Sequence, residues 1–295
     1  MYLGIDIGGS YIKYAYVNKE YEIVKHWSKQ TNLCESKKAF YDFICEDVKF
    51  SDIEFIAVSA PGLIDESGNV NSKAAHNVEI MYQSNVIHEL SIRSKLAVNV
   101  INDAKAAGYW ELQKGNGRNT ISSVYFIIGT GIGGCVCDAN GVINGIDGMA
   151  GEFSQLPVYY QGEKARQMSE YSSMQALIQI YKRKSGKLIT DGKAICEAYH
   201  QNDLHACEAM EEWCQNICHS LYTIILFYNP EVICIGGGIS KEDWFIEKVK
   251  TTFESLKKGM LHLSTTRVER CKYNNNANLL GAVLYANNRN IKEQK

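Results

Sequence analysis

Tyr2-Leu3-Gly4-Ile5-Asp6-Ile7-Gly8-Gly9-Ser10-Tyr11-Ile12-Lys13-Tyr14-Ala15-Tyr16-Val17 decides the reading of this chain. An apolar run enters Gly8-Gly9-Ser10 and a second β-rich run leaves it, so the segment predicts strand, tight turn, strand. A Walker loop is excluded, because that loop opens a helix and needs a GxxxxGK[ST] spacing that is missing here. A turn with two residues lacking Cβ atoms lets successive N–H groups converge on a phosphate. Ser10 adds a hydroxyl donor and Lys13 a cation. Asp6, at the end of the first strand, can hold Mg²⁺ directly or through water. The same residues also suit a plain hairpin turn that needs φ > 0.

The layout recurs in mid-chain. Val124–Ile128 reads as a buried strand, Gly129-Thr130-Gly131-Ile132-Gly133-Gly134 as the turn, and Cys135–Cys137 as the returning strand, with a further turn at Asn140-Gly141. Residues 129, 131 and 134 satisfy GxGxxG, yet no helix follows, so the dinucleotide fingerprint is set aside. Two such hairpins predict a duplicated architecture. A third glycine cluster, Gly236-Gly237-Gly238, ends the strand Glu231–Ile235. It precedes an amphipathic helix carrying Phe245, Val249, Phe253 and Leu256, with Ser240 and Asp243 as its capping pair. Backbone donors at such a strand end favour an anion or a closely packed adenosine.

Between the hairpins, strands at Ile53–Val58 and Leu96–Ile101 end at Ser59-Ala60-Pro61-Gly62 and Asn102-Asp103, and a helix follows from Ala104 to Leu112. Functional groups of α/β folds gather where a parallel strand gives way to a helix. Asp103 there can accept a hydroxyl proton, and Asn102 can bond a neighbouring hydroxyl. Asp103 can equally cap its helix. Glu152, in the loop Gly148-Met149-Ala150-Gly151-Glu152-Phe153-Ser154-Gln155, can bridge two adjacent sugar hydroxyls or simply face solvent. Ala206, Met210, Trp213, Ile217, Leu221 and Ile225 recur at spacings of three or four, a helix that Asn229-Pro230 stops.

Length and composition frame these motifs. The 295 residues predict about two domains. With 45% hydrophobic and 22% charged residues the chain is ordinary globular material, which excludes disorder as a whole-chain reading. A formal charge of −2 excludes the electrostatic footprint of a nucleic-acid binder and of a basic membrane-surface protein. Met1–Asp6 shows no signal-peptide pattern and no run spans a membrane, so the ten cysteines are expected to be reduced and the protein cytoplasmic. Cys214, Cys218 and His219 read as helix filler rather than metal ligands.

Asp6-Ile-Gly-Gly-Ser-Tyr-Ile-Lys13, Ala60-Pro61-Gly62, Asn102-Asp103-Ala104, Gly129-Thr-Gly-Ile-Gly-Gly134, Ala150-Gly151-Glu152 and Ile235-Gly-Gly-Gly238 resemble, in order and spacing, the motifs of the ROK family of bacterial sugar kinases and sugar-responsive repressors. The resemblance runs from residue 2 to about residue 285. It implies an α/β, actin-like (ribonuclease-H-like) two-domain ATPase fold with an interdomain cleft. The expected domains are 1–107 plus 277–295, and 108–276. ATP, Mg²⁺, a small-molecule sugar and a homodimer are implied as well. So is the role of Asp103 as the base that activates the sugar's 6-hydroxyl. Asp6, Gly8, Gly9, Ser10, Lys13, Gly129, Thr130, Gly131 and Gly133 would then serve the phosphates and metal, and Gly236, Gly237 and Gly238 the adenosine. Asn77, Asn102 and Glu152 would hold the sugar.

The chain also departs from that pattern. Gln155 stands where the family carries a histidine, and the cysteine-rich zinc loop has no counterpart, because no cysteine lies between Cys137 and Cys196. No zinc is expected. Glu170 is the candidate for the sugar contact that follows that loop. The expectation is an ATP-dependent hexose 6-kinase of glucose or N-acetylmannosamine type. The alternative within that class is a β-glucoside kinase, because a missing zinc loop loosens the site around C1 and C2. A non-catalytic sugar sensor is the alternative of another class; the presence of Asp103 and of Asp6 in the first strand argues against it.

Overall fold

In the computed structural model, which describes residues 1–74, 76–161, 164–189, 191–260, 264–273 and 276–293, β1 (Tyr2–Ile7) and β2 (Tyr11–Val17) form the expected hairpin, with Tyr2 opposite Val17 and Ile7 opposite Ile12. β3 (Ile23–Gln30) flanks β2 antiparallel, while β4 (Phe55–Ala60) and β5 (Ala97–Asn102) add parallel strands on the far side of β1, for an order of β3-β2-β1-β4-β5. Strand alternation sends Leu3, Ile5 and Ile7 to one face, where they meet Phe40, Tyr41 and Ile44 of α1 (Lys37–Cys45) and Val86 and Leu90 of α2 (Val86–Ser94). Tyr2 and Ala57 occupy the opposite face with Ala106 of α3 (Asp103–Lys114) and Leu279 and Val283 of the C-terminal helix (Ala277–Glu293). The result is a sheet covered by helices on both faces, the arrangement that parallel strands require.

The second unit repeats the plan. β6 (Ser122–Ile128) and β7 (Ile132–Asp138) are antiparallel through the second glycine turn, with Ile128 opposite Ile132. The chain turns at Asn140-Gly141 into the short β8 (Gly141–Val142). β9 (Pro157–Gln161) and β10 (Lys164–Gln167) make a separate two-stranded antiparallel ribbon. Four helices follow: α4 (Ser169–Ser172), α5 (Met174–Ser185), α6 (Gly192–His200) and the long α7 (Leu204–Tyr228). β11 (Val232–Gly236) then pairs parallel with β6, and β12 (Arg267–Arg270) pairs parallel with β11. The order β7-β6-β11-β12 mirrors β2-β1-β4-β5 in the first unit, so the duplication expected from two glycine hairpins is present in the topology.

α7 buries the whole predicted stripe from Ala206 to Ile225 and stops at Asn229, whose φ of 49° is left-handed. Trp213 anchors it: its indole N–H donates to the Ser172 and Ser173 carbonyls, and its ring stacks on Phe245. Ser240, expected as the first cap of the next helix, lies within a 3-10 turn. That turn (Gly238–Lys241) precedes α8 (Asp243–Met260), and within it the Ser240 hydroxyl donates to Gly237 O at 2.8 Å.

The chain divides into two units: Met1–Arg118 with Asn140–Ala150 and Asn275–Lys295, and Asn119–Ala139 with Gly151–Asn274. A boundary after residue 107 would cut α3, whose ladder of hydrogen bonds continues to Lys114. That helix stays whole in the first unit, and residues 140–150 join it. Residues 274, 275, 294 and 295, which the expected boundaries include, lie outside the described residues. All ten cysteines are free thiols, with Cys214 and Cys218 buried against neighbouring helices. Among the described residues no helix is long and apolar enough to cross a membrane.

Candidate active site

In the first unit the site is built around Asp6. Its side chain faces the C-terminal helix and is nearly buried. Oδ1 accepts from Ser59 Oγ at 3.0 Å and from Asn278 Nδ2 at 2.7 Å, and Oδ2 pairs with Lys13 Nζ at 3.3 Å, across from it in the hairpin register. A carboxylate oxygen has two lone pairs. Oδ2 therefore retains one for a metal or its water, and the residue fits the Mg²⁺ role expected of it.

The adjoining turn is braced from outside. Gly8 N–H donates to Tyr11 O at 3.0 Å, the Thr31 hydroxyl donates to Gly8 O at 2.6 Å, and Asn77 Nδ2 donates to Gly9 O at 3.0 Å. A Cβ on Gly8 would lie 2.8 Å from Tyr11 O, so the hairpin closes this tightly only with glycine there. Asn77, expected at the sugar, is placed by the structure as a brace of the Gly8–Ser10 turn. Ser10 is exposed beside Gly9.

At the end of β5 two adjacent side chains divide the work. Asn102 is the N-cap of α3: its Oδ1 accepts from Lys105 N at 3.1 Å, and its Nδ2 donates to Gly62 O at 3.0 Å. The helix-cap role considered for Asp103 therefore falls to its neighbour. Both ends of the Asn102 amide are engaged in the fold, so a sugar contact would use the second lone pair or the second N–H. Asp103 is the first helical residue, and its Oδ1 accepts from Ala104 N at 2.7 Å. Desolvation raises its pKa from 3.8 to about 6, and the Asp6 carboxylate adds to the rise against the lowering effect of the Ala104 N–H. An aspartate so placed is mostly ionised at neutral pH yet a better base than an exposed one.

The second unit carries the other two glycine clusters. Gly129 N donates to Gly131 O at 2.9 Å, and Gly129 O accepts from Met174 N at 3.0 Å, which docks the turn onto the start of α5. Thr130 and Gly131 are exposed at its tip, while Gly133 lies along β7 opposite Ile127. Gly236 closes β11. Gly237 has φ +96°, and a Cβ there would sit 2.0 Å from Ile128 O, whereas a Cβ on Gly238 would meet nothing within 4 Å. The peptide after β11 is thus packed against Ile128 on one side and open at Gly238.

Glu152 precedes the 3-10 turn Phe153–Gln155, and Glu170 lies in the first turn of α4. The structure brings Gln155 and Glu170 together through Gln167, whose Nε2 donates to Gln155 Oε1 at 3.0 Å and whose backbone N–H donates to Glu170 Oε1 at 3.2 Å. Arg166 Nε adds a bond to Glu170 Oε2 at 3.3 Å. The β9–β10 ribbon stands where the cysteine-rich loop would be expected. Among the described residues no group of three or more His, Cys, Asp or Glu side chains is placed to hold a metal.

Sequence reasoning did not single out the supporting residues Thr31, Ser59, Asn278, Arg166 and Gln167. It also missed Lys105, which is only 2% exposed and donates from Nζ to Gly148 O. Most of these contacts span tens to hundreds of residues, so no local pattern announces them.

A ROK family profile matches residues 2–289. The beta-glucoside kinase of Listeria monocytogenes is 29% identical over 287 residues, covering 95% of each chain. The glucokinase of Halalkalibacterium halodurans is 26% identical over 285 residues, covering 86% of this chain and 85% of the relative. Among solved structures, a ROK family protein from Streptococcus pneumoniae TIGR4 in complex with sucrose aligns with a TM-score of 0.88 at 27% identity, over 98% of this chain and 99% of that one. A ROK family glucokinase from Streptomyces griseus in complex with glucose and AMPPNP aligns with a TM-score of 0.78 at 25% identity, over 97% and 99%. The repeated sheet order and these neighbours identify the actin-like α/β fold. With its motifs in order and the family profile spanning nearly its whole length, the chain belongs to the ROK family.

Proposed function

We propose that this chain transfers the γ-phosphate of ATP to the 6-hydroxyl of a hexose of glucose or N-acetylmannosamine type. The observation that carries this reading is the division of labour at the β5–α3 junction. Asn102 takes the cap, so Asp103 keeps a carboxylate oxygen for chemistry, with its pKa raised to about 6.

Asp103 Oδ2 accepts the proton of the attacking hydroxyl and later releases it to solvent. Phosphoryl transfer passes through a loose transition state, so orientation and charge stabilisation dominate over base strength. The exposed turns at Gly8–Ser10 and Gly129–Gly131 present donors to the phosphate oxygens, and Lys13 adds positive charge beside Asp6. Gly236–Gly238 accept the adenosine. Mg²⁺, when bound, neutralises phosphate charge, and Asp6 would hold it directly or through water. Asn77, Asn102, Glu152, Gln155 and Glu170 orient the sugar. Cytoplasmic location, a homodimer and a site without zinc complete the reading.

A β-glucoside substrate is the second reading. It is supported by the β9–β10 ribbon in place of a cysteine-rich loop and by the likeness to a beta-glucoside kinase.

The test is ATP-dependent phosphorylation across glucose, N-acetylmannosamine, N-acetylglucosamine, mannose, fructose, allose and cellobiose, with Asp103→Ala as control. Turnover of one sugar, abolished in the variant while sugar binding weakens only modestly, is the expected result. Turnover that survives Asp103→Ala removes the base assignment. Binding without any phosphorylation favours a sensor.

A further inference from the structure

The β9–β10 ribbon ends in a set of side-chain bonds that the proposed chemistry does not itself require. Met168, fully buried, donates its N–H to Leu156 O at 2.8 Å and so closes the ribbon at its base. Just above that closure, Gln167 donates to Gln155 from its side chain and to Glu170 from its backbone, and Arg166 Nε donates to the other Glu170 oxygen. The Arg166 guanidinium also lies 4.6 Å from the centre of the Tyr171 ring. A lone i,i+4 pair on a surface contributes little. Here the pair is pinned by an aromatic face and flanked by a backbone bond to the same carboxylate, which holds the planar Arg fork in one orientation.

The bonds have a direction with chemical consequences. Gln155 Oε1 accepts from Gln167 and keeps one lone pair, while both N–H donors of the Gln155 amide are left for a ligand. Both Glu170 oxygens already accept within the protein. A donor that is neutral at every working pH matches an oxygen that can only accept. An ether oxygen, as in a glycosidic linkage, is such an oxygen.

We propose that Arg166 and Gln167 are positioning residues that clasp Gln155 and Glu170, and that the outward Gln155 NH₂ reads the bridging oxygen of a glycoside. The inference rests on the reading of Gln155 and Glu170 as sugar contacts.

The experiment compares glucose with methyl β-glucoside as substrates for the wild type, Gln167→Leu, Gln155→Glu and the double variant Gln155→Ala/Gln167→Leu beside Gln155→Ala. Gln167→Leu is expected to raise the KM for methyl β-glucoside about three- to tenfold, the worth of one neutral hydrogen bond, with the KM for ATP unchanged. The same change in the Gln155→Ala background should have no further effect. Gln155→Glu turns a donor into an acceptor and should lower the ratio of glucoside to glucose kcat/KM by about tenfold. A Gln167→Leu effect that persists without Gln155, or a ratio indifferent to Gln155→Glu, overturns the clasp.

Calorimetric binding of methyl β-glucoside separates the two ideas. If the wild type binds without turnover and Gln167→Leu weakens binding, the kinase reading falls and the clasp stands. If turnover occurs and Gln167→Leu is silent, the clasp falls and the kinase stands. A wild type that neither binds nor turns over either sugar removes both.

Discussion

Asp103→Asn should make the protein more stable and inactive, and the gain should depend on pH. The folded chain raises the Asp103 pKa from 3.8 to about 6, chiefly by desolvation. In the unfolded chain the group returns to its ordinary value. Between those values the folded state binds the proton more tightly than the unfolded state does, so stability falls as pH rises through that window and then levels off. Above both values the charged carboxylate costs the fold ~3 kcal/mol. At pH 4.5 only about 1 kcal/mol of that has developed, and at pH 7.5 nearly all of it. Asparagine keeps the shape and the bond from Ala104 N–H but never ionises. Its advantage over the wild type should therefore grow by ~2 kcal/mol between pH 4.5 and 7.5. Urea unfolding at the two pH values measures this, and the difference between the two proteins cancels every other titrating group. The same ionisation should place the acid limb of kcat/KM near pH 6, with activity lost as pH falls below it. An advantage that is equal at both pH values, or an asparagine variant less stable at pH 7.5, refutes the claim that the base is held at the fold's expense.

Three further substitutions separate fold from site. Asn102→Ala removes the α3 cap and the tie to Gly62, and should lower stability by about 1–2 kcal/mol, seen in a thermal melt, with kcat falling because the first turn carrying Asp103 loosens. Gly237→Ala should fail to fold or melt far below the wild type, because its φ is +96° and the new methyl would meet Ile128 O, whereas Gly238→Ala should melt like the wild type and raise the KM for ATP, because its methyl enters open space.

The parts of the fold legible in the sequence are those where one short segment carries the whole signal. The Gly8-Gly9-Ser10 turn joins two apolar strands, so the hairpin is local, and the Ala206–Ile225 stripe needs only helical periodicity. β3 escaped because it is an edge strand with no buried residue and no apolar run beyond Ile23-Val24. The β9–β10 ribbon escaped because nothing in the sequence said what would replace an absent cysteine loop. At the candidate site, Asn102-Asp103 was legible as the junction of a strand and a helix, but which of the two caps that helix was not. Both side chains suit a cap, and only the backbone geometry (φ −59°, ψ 145° at Asn102) decides which of them does it.

Asp6 shows the deeper limit. Its position at a strand end marks it as functional, yet its orientation depends on Ser59 in β4 and Asn278 in the last helix, which is 272 residues away. Such contacts form only when the sheet and its covering helix have assembled. They make the C-terminal helix a support for the Asp6 carboxylate as well as a cover for the core. The placement of Asp6 also acts on Asp103, since the same buried carboxylate contributes to the raised pKa of the base. The two acids are linked: the carboxylate proposed to hold the metal also acts on the one proposed to take the proton. Mg²⁺ bound at Asp6 would offset that repulsion and draw the Asp103 pKa down, so the base would be most ionised when the metal is in place.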